Sequence, residues 1–352
     1  MEDQKYTAES IMALVKQMST IERTRLQKLL SEPSDRIGID EFITERRFAG
    51  GRVCPICGGT HVQRNGKRKN GKQKFICKDC GKTFSTGKNT VFAGTHKGME
   101  TWSEFLNCMS EGLTIAKCAE RCGISAKTAF TWRHKVLDAI GKARKDTELT
   151  GIVEADETFQ PVSYKGCKDK FKESNAERKP RKRGGGNHKK GLSEELVCVP
   201  CAVDRNGNAV SKIAKLGKCS AEAVQNVLGG HISAESTLCT DKEASYRRFS
   251  ENNGNGLVQI KGGKKSVRGI FHIQHLNAYH SVLKNFLRRF NGVSSKYLNN
   301  YLTWNNVVEH NGGTLREKTE RMLQLVASAM FEETWQSVPQ RPLLPILVKN
   351  QS

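Results

Sequence analysis

The strongest periodicity in the chain lies late in the sequence. Tyr279, Val282, Leu283, Phe286, Leu287 and Phe290 recur at i, i+3, i+4 and i+7 spacing, which predicts an amphipathic helix from about 276 to 290. Upstream the pattern shortens into apolar runs. Runs at 151–162, 196–203 and 208–216, the run ending at Asp241, and Val258-Gln-Ile260 predict strands. Asp204-Arg-Asn-Gly207 reads as the turn of a hairpin, and helices are expected near 220–228 and over Ala244–Asn252. The resulting β-β-β-α-β-α-β-α order suits a ribonuclease-H-like mixed sheet, in which the first and fourth strands are neighbours.

Helical spacing returns near the start. Ile11, Leu14, Val15 and Met18 form one set, and Ile21, Leu26, Leu29 and Leu30 another. Ser19-Thr-Ile-Glu22 fits a capping box between them, and Pro33 ends the segment. This leader is either a small helical domain or an oligomerisation arm. Residues 98–147 are also helical. There Leu113 to Leu137 has the layout of a helix-turn-helix, with Gly123 in the left-handed turn and Ser125 capping the second helix. Ala116, Ala119, Ile124, Phe130, Val136 and Leu137 supply a small core, and Lys127, Thr128, Thr131, Arg133, His134 and Lys135 are the candidate groove and phosphate contacts. A plain trihelical bundle shows the same pattern.

The expected organisation is a multidomain chain: zinc ribbon plus all-α helix-turn-helix plus α/β ribonuclease-H-like mixed sheet. The boundaries are a helical leader (1–49), ribbon (50–95), helix-turn-helix region (98–147), α/β domain (150–315) and a C-terminal helix and tail (316–352). The tail, with Pro339, Pro342 and Pro345, reads as loosely held.

The ribbon rests on Cys54-Pro-Ile-Cys57 and Cys77-Lys-Asp-Cys80, each followed by glycine, at Gly58 and Gly81. Four thiolates from two tight turns make a tetrahedral zinc site, and the glycines let the backbone turn its amides toward sulfur. Lys74-Phe-Ile-Cys77 and Lys82-Thr-Phe84-Ser are the β signals around it. Cys198-Val-Pro-Cys201 has no second pair and lies in an apolar strand, so it reads as core. Cys108, Cys118 and Cys122 read as packing residues.

Charge changes the picture. The 352 residues carry 58 Lys plus Arg against 36 Asp plus Glu, a formal charge of +22. A surplus of that size favours a polyanion partner, because released counterions drive binding. Residues 163–193 interrupt the α/β region with 11 Lys/Arg and three acids, including Arg181, Lys182 and Arg183. They read as a basic loop tracking DNA, or as a solvated insertion. No apolar stretch reaches the roughly 20 residues that span a bilayer. The N-terminus lacks a signal-peptide pattern, so a cytoplasmic, nucleoid-associated protein with reduced cysteines is expected.

Two strand-end carboxylates, Asp156 and Asp241, and a helix carrying Asn277 and Lys284 seven residues apart complete the candidate chemistry. Taken singly, such residues are turn formers or a solvated face. Taken together, they resemble the zinc-ribbon insertion-sequence transposases of the DDE type. The matching text is Val153-Glu-Ala-Asp156-Glu-Thr, Cys239-Thr-Asp241, His275-Leu-Asn277, Lys284, and the block from Phe290 to Trp304. Asn277 stands where most of that family has a third acid, and one branch is similar in having Asn there and Lys seven residues later.

The resemblance implies Asp156 and Asp241 as ligands of Mg²⁺ or Mn²⁺, with two ions expected. Asn277 would be a neutral ligand or orienter, and Lys284 a DNA contact. It implies cleavage that frees a 3′-OH, followed by direct attack of that hydroxyl on target DNA. Double-stranded DNA is the implied partner, as element ends and as target, and pairing two ends implies at least a homodimer. The neutral Asn277 removes one charge from the ligand set; Glu154, Glu157, Glu243 and Glu309 are the acids able to restore it. A catalytically decayed DNA-binding regulator, and a nuclease that cuts without joining, are the alternatives.

Overall fold

A computed structural model describes residues 8–19, 22–23, 39–68, 73–166, 193–241, 244–260, 267–329 and 336–343. Helices α1 (Ala8–Gln17) and α2 (Ile39–Arg47) come first. Between them Ser19 and Glu22 bond each other's side chain and backbone, as the capping box requires. α2 is built into the main core through buried Ile43.

A small antiparallel sheet follows, in the order β1 (Val62–Lys67), β2 (Gln73–Cys77) and β3 (Thr83–Ser85). Its apolar side holds only Val62, Phe75, Phe84 and buried cysteines, with Phe48 against them. That core is too small to hold a fold of this size by itself, so the cysteine cluster beside it matters.

Helices α3 (Met99–Ser110), α4 (Ile115–Arg121) and α5 (Ala126–Ala143) come next. Thr114 caps α4 through the amide of Lys117, and Ser125 caps α5 through the amide of Thr128 at 3.1 Å. Gly123 takes the left-handed turn between them with φ +58°. Ala116, expected in their core, is exposed.

The large sheet runs β6-β5-β4-β8-β9, with β7 pairing β5. Its strands are β4 (Ile152–Pro161), β5 (Leu196–Asp204), β6 (Ala209–Ser211), β7 (Lys215–Leu216), β8 (Thr237–Thr240) and β9 (Gly256–Gln259). β4, β5 and β6 pair antiparallel, and β8 and β9 lie parallel beyond β4. The run at 208–216, expected as one strand, is split into β6 and β7, and β8, the strand expected fourth, lies beside β4. α6 (Ala221–Leu228) and α7 (Ala244–Asn253) cover one face through a core that includes Val153, Ala155, Cys198, Leu238 and Phe249.

A two-strand hairpin, β10 (Val267–Arg268) and β11 (Phe271–His272), leads into α8 (Gln274–Arg288). α9 (Leu298–Trp304) continues into a π turn at Asn305–Glu309, α10 (Leu315–Ser328) starts from a capping box of Thr314 and Glu317, and a 3-10 turn at Val338–Gln340 follows.

The other face of the sheet does not carry a domain core of its own. Val197, Val199, Cys201 and Val203 join α8, α9 and α10 with α3 and α5 in one apolar cluster. Trp102 stacks on Trp132 with centroids 3.6 Å apart, and Trp304 Nε1 donates to Met109 O at 3.2 Å. The helical region, α/β region and C-terminal helix expected as separate segments thus share a core. The tail is also held further than expected: Val338 is buried, and Arg341 pairs with Asp138 and bonds Asn300 at 2.9 Å. Among the described residues no helix is long and apolar enough to cross a membrane.

Candidate active site and nucleic-acid interface

Strand alternation sets the first two carboxylates. Glu154 and Asp156 pair with Val203 and Cys201 of β5, whose side chains belong to the cluster beneath α8. On the parallel side Ala155 pairs with Thr240, so Asp241 follows directly beyond the register at the level of Asp156. Cys239 pairs with Glu154, which puts Asp241, two residues on, on that same face. The chain paths there lie roughly 4.8 Å apart, so the two carboxylates project side by side.

α8 crosses this face. Tyr279, Leu283, Phe286, Leu287 and Phe290 are buried, as the periodicity predicts, and Val282 is half-buried; Leu276 is buried as well, while Asn277 and Lys284 are exposed on one side. His280 between them is only 8% exposed, so their line borders the buried stripe rather than standing opposite it. Burial, and then the Lys284 ammonium, pull the His280 imidazole down to about 4.

Three of the four acids named as able to restore the missing charge are otherwise placed. Glu154 is buried and accepts from Leu276 N at 3.0 Å, His275 Nδ1 at 2.8 Å and Arg205 at 2.9 Å. Glu309 is held bidentate by Arg289 at 3.0 and 3.1 Å. Glu157 alternates to the opposite face, alongside Ala155 and Phe159. Glu243 lies outside the described residues. His272 Nδ1 also lies 3.4 Å from Glu154 Oε1, and of these partners Arg205 and His272 carried no signal in the sequence. They are remote from Glu154 along the chain, and Arg205 sits in what reads simply as a hairpin turn.

The cysteine cluster forms as expected. Cys54 Sγ lies 3.8 Å from Cys80 Sγ, and Cys57 Sγ 3.7 Å from Cys77 Sγ. Four sulfurs each about 2.3 Å from one ion would sit about 3.8 Å apart at the corners of a tetrahedron. The amides of Ile56 and Gly59 point at Cys54 and Cys57 sulfur at 3.4 Å. Gly58 and Gly81 have φ +76° and +68°, the conformation that makes this turn possible. The set fits a structural zinc ion. Cys198 and Cys201 are buried in β5, as expected of core residues.

A groove of about 340 Å³ runs along α5, lined by Lys127, Thr128, Thr131 and Lys135 and floored by Trp102 and Trp132. It continues past Ala93–Thr95 into a second of about 580 Å³ bordered by Arg68, Lys82 and Lys88 of the ribbon. Burial holds the Lys135 amine below its usual range.

Two residues expected in this interface point the other way. Arg133 is 1% exposed and donates to Leu113 O at 2.6 Å, with its guanidinium 4.8 Å from the Trp304 ring. His134 is equally buried, against Phe130 and Tyr297, and burial first, then Arg341 and Arg133, keep it neutral. Helix phase is the reason: both lie on the side of α5 that packs on α9. Arg181, Lys182 and Arg183 lie outside the described residues, as does most of the 163–193 insertion.

Residues 148–304 match the ISXO2-like transposase domain. A relative in Halobacterium salinarum, described as an uncharacterized protein in transposable element ISH50, is 24% identical over 278 residues, which cover 75% of this chain and 90% of the relative. The two matches support a transposase of an insertion sequence. Asp156, Asp241, Asn277 and Lys284 all fall inside the matched domain.

Proposed function

We propose that the protein is a DNA transposase that binds the terminal inverted repeats of an insertion sequence and catalyses metal-dependent cleavage and strand transfer at Asp156 and Asp241. The observation that carries this reading is the register of β4 and β8, which sets the two carboxylates side by side beneath the helix bearing Asn277. The mixed strand order, with parallel β8 and β9 beyond β4, supports a ribonuclease-H-like reading of the sheet.

Two carboxylates and an amide oxygen form an all-oxygen donor set, which suits Mg²⁺ or Mn²⁺. Divalent ions held there supply charge stabilisation at the scissile phosphate and an acidified water. The chain's own residues do the rest. Asp156 and Asp241 fix the donor geometry from a rigid sheet. Asn277 orients without adding charge. Lys284, two turns along α8, offers its ammonium to a backbone phosphate about 10 Å away. His280 stays neutral between them and adds no cation.

The ribbon, with zinc as its structural ion, and the α4–α5 pair form the end-binding surface. We read α4–α5 as a helix-turn-helix whose second helix presents Lys127, Thr128, Thr131 and Lys135. The continuity of its groove with the basic edge of the ribbon supports one DNA path across both. The DNA-bound protein is nucleoid-associated, and joining two element ends requires at least a dimer.

The test uses the full-length protein, Mg²⁺ or Mn²⁺, and DNA carrying the terminal repeats of the element. Wild type is expected to cleave and to transfer strands, and Asp156→Ala and Asp241→Ala to bind the ends and do neither. Binding without cleavage by wild type refutes the enzymatic reading and leaves a DNA-binding regulator. Cleavage without joining leaves a nuclease.

A further inference from the structure

The start of α8 is weakly capped from its own approach, with only a 3.3 Å contact from the Gln274 amide to His272 Nδ1. Ile273 occupies its N-cap and has no side-chain acceptor for the first free amides. The stronger acceptor comes from another element: Glu154 Oε2 on β4 takes the amide of Leu276 at 3.0 Å. Glu154 Oε1 takes His275 Nδ1–H at 2.8 Å and the Arg205 guanidinium at 2.9 Å. Arg205 also donates to His272 Nε2 at 3.0 Å and to Ile270 O at 3.2 Å, so the hairpin before α8 is tied into the same knot. The Glu154 side chain is 1% exposed.

The far end of α8 is held from the same stretch of chain. Lys165, just past β4, donates to the carbonyls of Phe290 at 2.8 Å, Asn291 at 3.2 Å and Gly292 at 2.9 Å. A carboxylate at the N-terminus and an ammonium beyond the C-terminus are the signs a helix dipole favours.

We propose that Glu154 is a positioning residue: its buried carboxylate caps α8 from β4 and so fixes Asn277 against Asp156. Asp156 lies two residues from Glu154 on the strand, and Asn277 one residue from Leu276 on the helix. A single carboxylate, through its bonds to His275 and Leu276, therefore ties the strand of one site member to the helix of the other. This role rests on the reading of Asp156 and Asn277 as site residues.

Glu154, His272 and His275 also bring three donor atoms within 4.8 Å of one another, a separation a metal ion can bridge. Arg205 decides between the two. Its guanidinium already sits on Glu154 Oε1, and a metal ion would have to displace it from a buried carboxylate and sit beside a second cation.

The experiment compares wild type with Glu154→Ala and Glu154→Gln in the full chain. Amide hydrogen exchange at residues 274–278 is expected to speed by about 10-fold in Glu154→Ala, the effect of losing one helix cap, with the ribbon and α5 unchanged. Glu154→Gln keeps an oxygen for Leu276 and is expected to fall between. Cleavage turnover is expected to drop on the order of 100-fold in Glu154→Ala, as for a misplacement near 1 Å, while binding to the element ends stays at the wild-type level. Unchanged exchange at 274–278, or Glu154→Gln as severe as Glu154→Ala, overturns the proposal. So does a Co²⁺ equivalent beyond the ribbon's that disappears in His275→Ala. If wild type itself fails to cleave, the transposase reading falls, and the exchange data still decide whether Glu154 holds α8.

Discussion

Replacing Arg133 separates a buried role from a DNA-binding one. Its guanidinium donates to Leu113 O at 2.6 Å and to Cys118 Sγ at 3.3 Å, and it faces the rings of Trp304 and Phe290 at 4.8 and 5.6 Å. A charged hydrogen bond contributes about 1.5–3 kcal/mol. A desolvated cation over an indole adds about 2 kcal/mol. Against these stands the desolvation of a cation whose Nε finds no hydrogen-bond partner among the described residues. Arg133→Ala also opens a cavity between α5 and α9, so a net loss of about 3–4 kcal/mol is expected. Arg133→Met fills most of that space and removes the buried charge. Its main cost is the Leu113 carbonyl, left with only the weak Cys118 thiol donor at 3.8 Å, giving an expected loss of about 1–2 kcal/mol. Denaturant unfolding followed by tryptophan fluorescence measures both, since Trp102, Trp132 and Trp304 lie in this cluster. DNA binding by Arg133→Met should keep the wild-type salt dependence, whereas Lys127→Ala should lower the slope by about 1. The reasoning fails if Arg133→Met unfolds like wild type and loses the salt slope instead, because Arg133 would then be a phosphate contact.

Two further outcomes are expected. Wild type should carry one zinc per chain by elemental analysis, and Cys77→Ser none. Without metal, β1–β3 should lose exchange protection while the large sheet keeps it, because the small sheet has little core of its own. Stability should also fall with acid. An unfolded histidine takes a proton near pH 6.5, whereas folded His280 takes it only at about 4. Between those values the unfolded state binds more protons, so stability rises with pH, by an amount on the order of 3 kcal/mol across the window. Melting curves from pH 4 to 7 should show this slope, and His280→Gln should reduce it, the buried and also lowered His134 supplying part of what remains.

The sequence by itself determined what depends on local spacing. The α8 stripe, the strand runs, the hairpin at Asp204–Gly207, the caps at Ser19 and Ser125, and the paired CxxC turns are each set by residues within a few positions of one another. Periods of 2 and 3.6 are properties of the backbone, so they are legible without a partner. The sulfur cluster followed too, because its geometry leaves the two turns few ways to meet.

Tertiary structure decided which face of an element meets what. Lys127 and Arg133 belong to one basic run, and only the packing of α5 on α9 turns Lys127 to the groove and Arg133 to the Trp304 ring. Glu154 looked like a spare acid beside Asp156. The knot that makes it a cap joins β4, the hairpin turn at Arg205 and the start of α8, three segments far apart in sequence. Such a contact depends on the closure of long loops around a shared core, and no spacing rule along the chain encodes it.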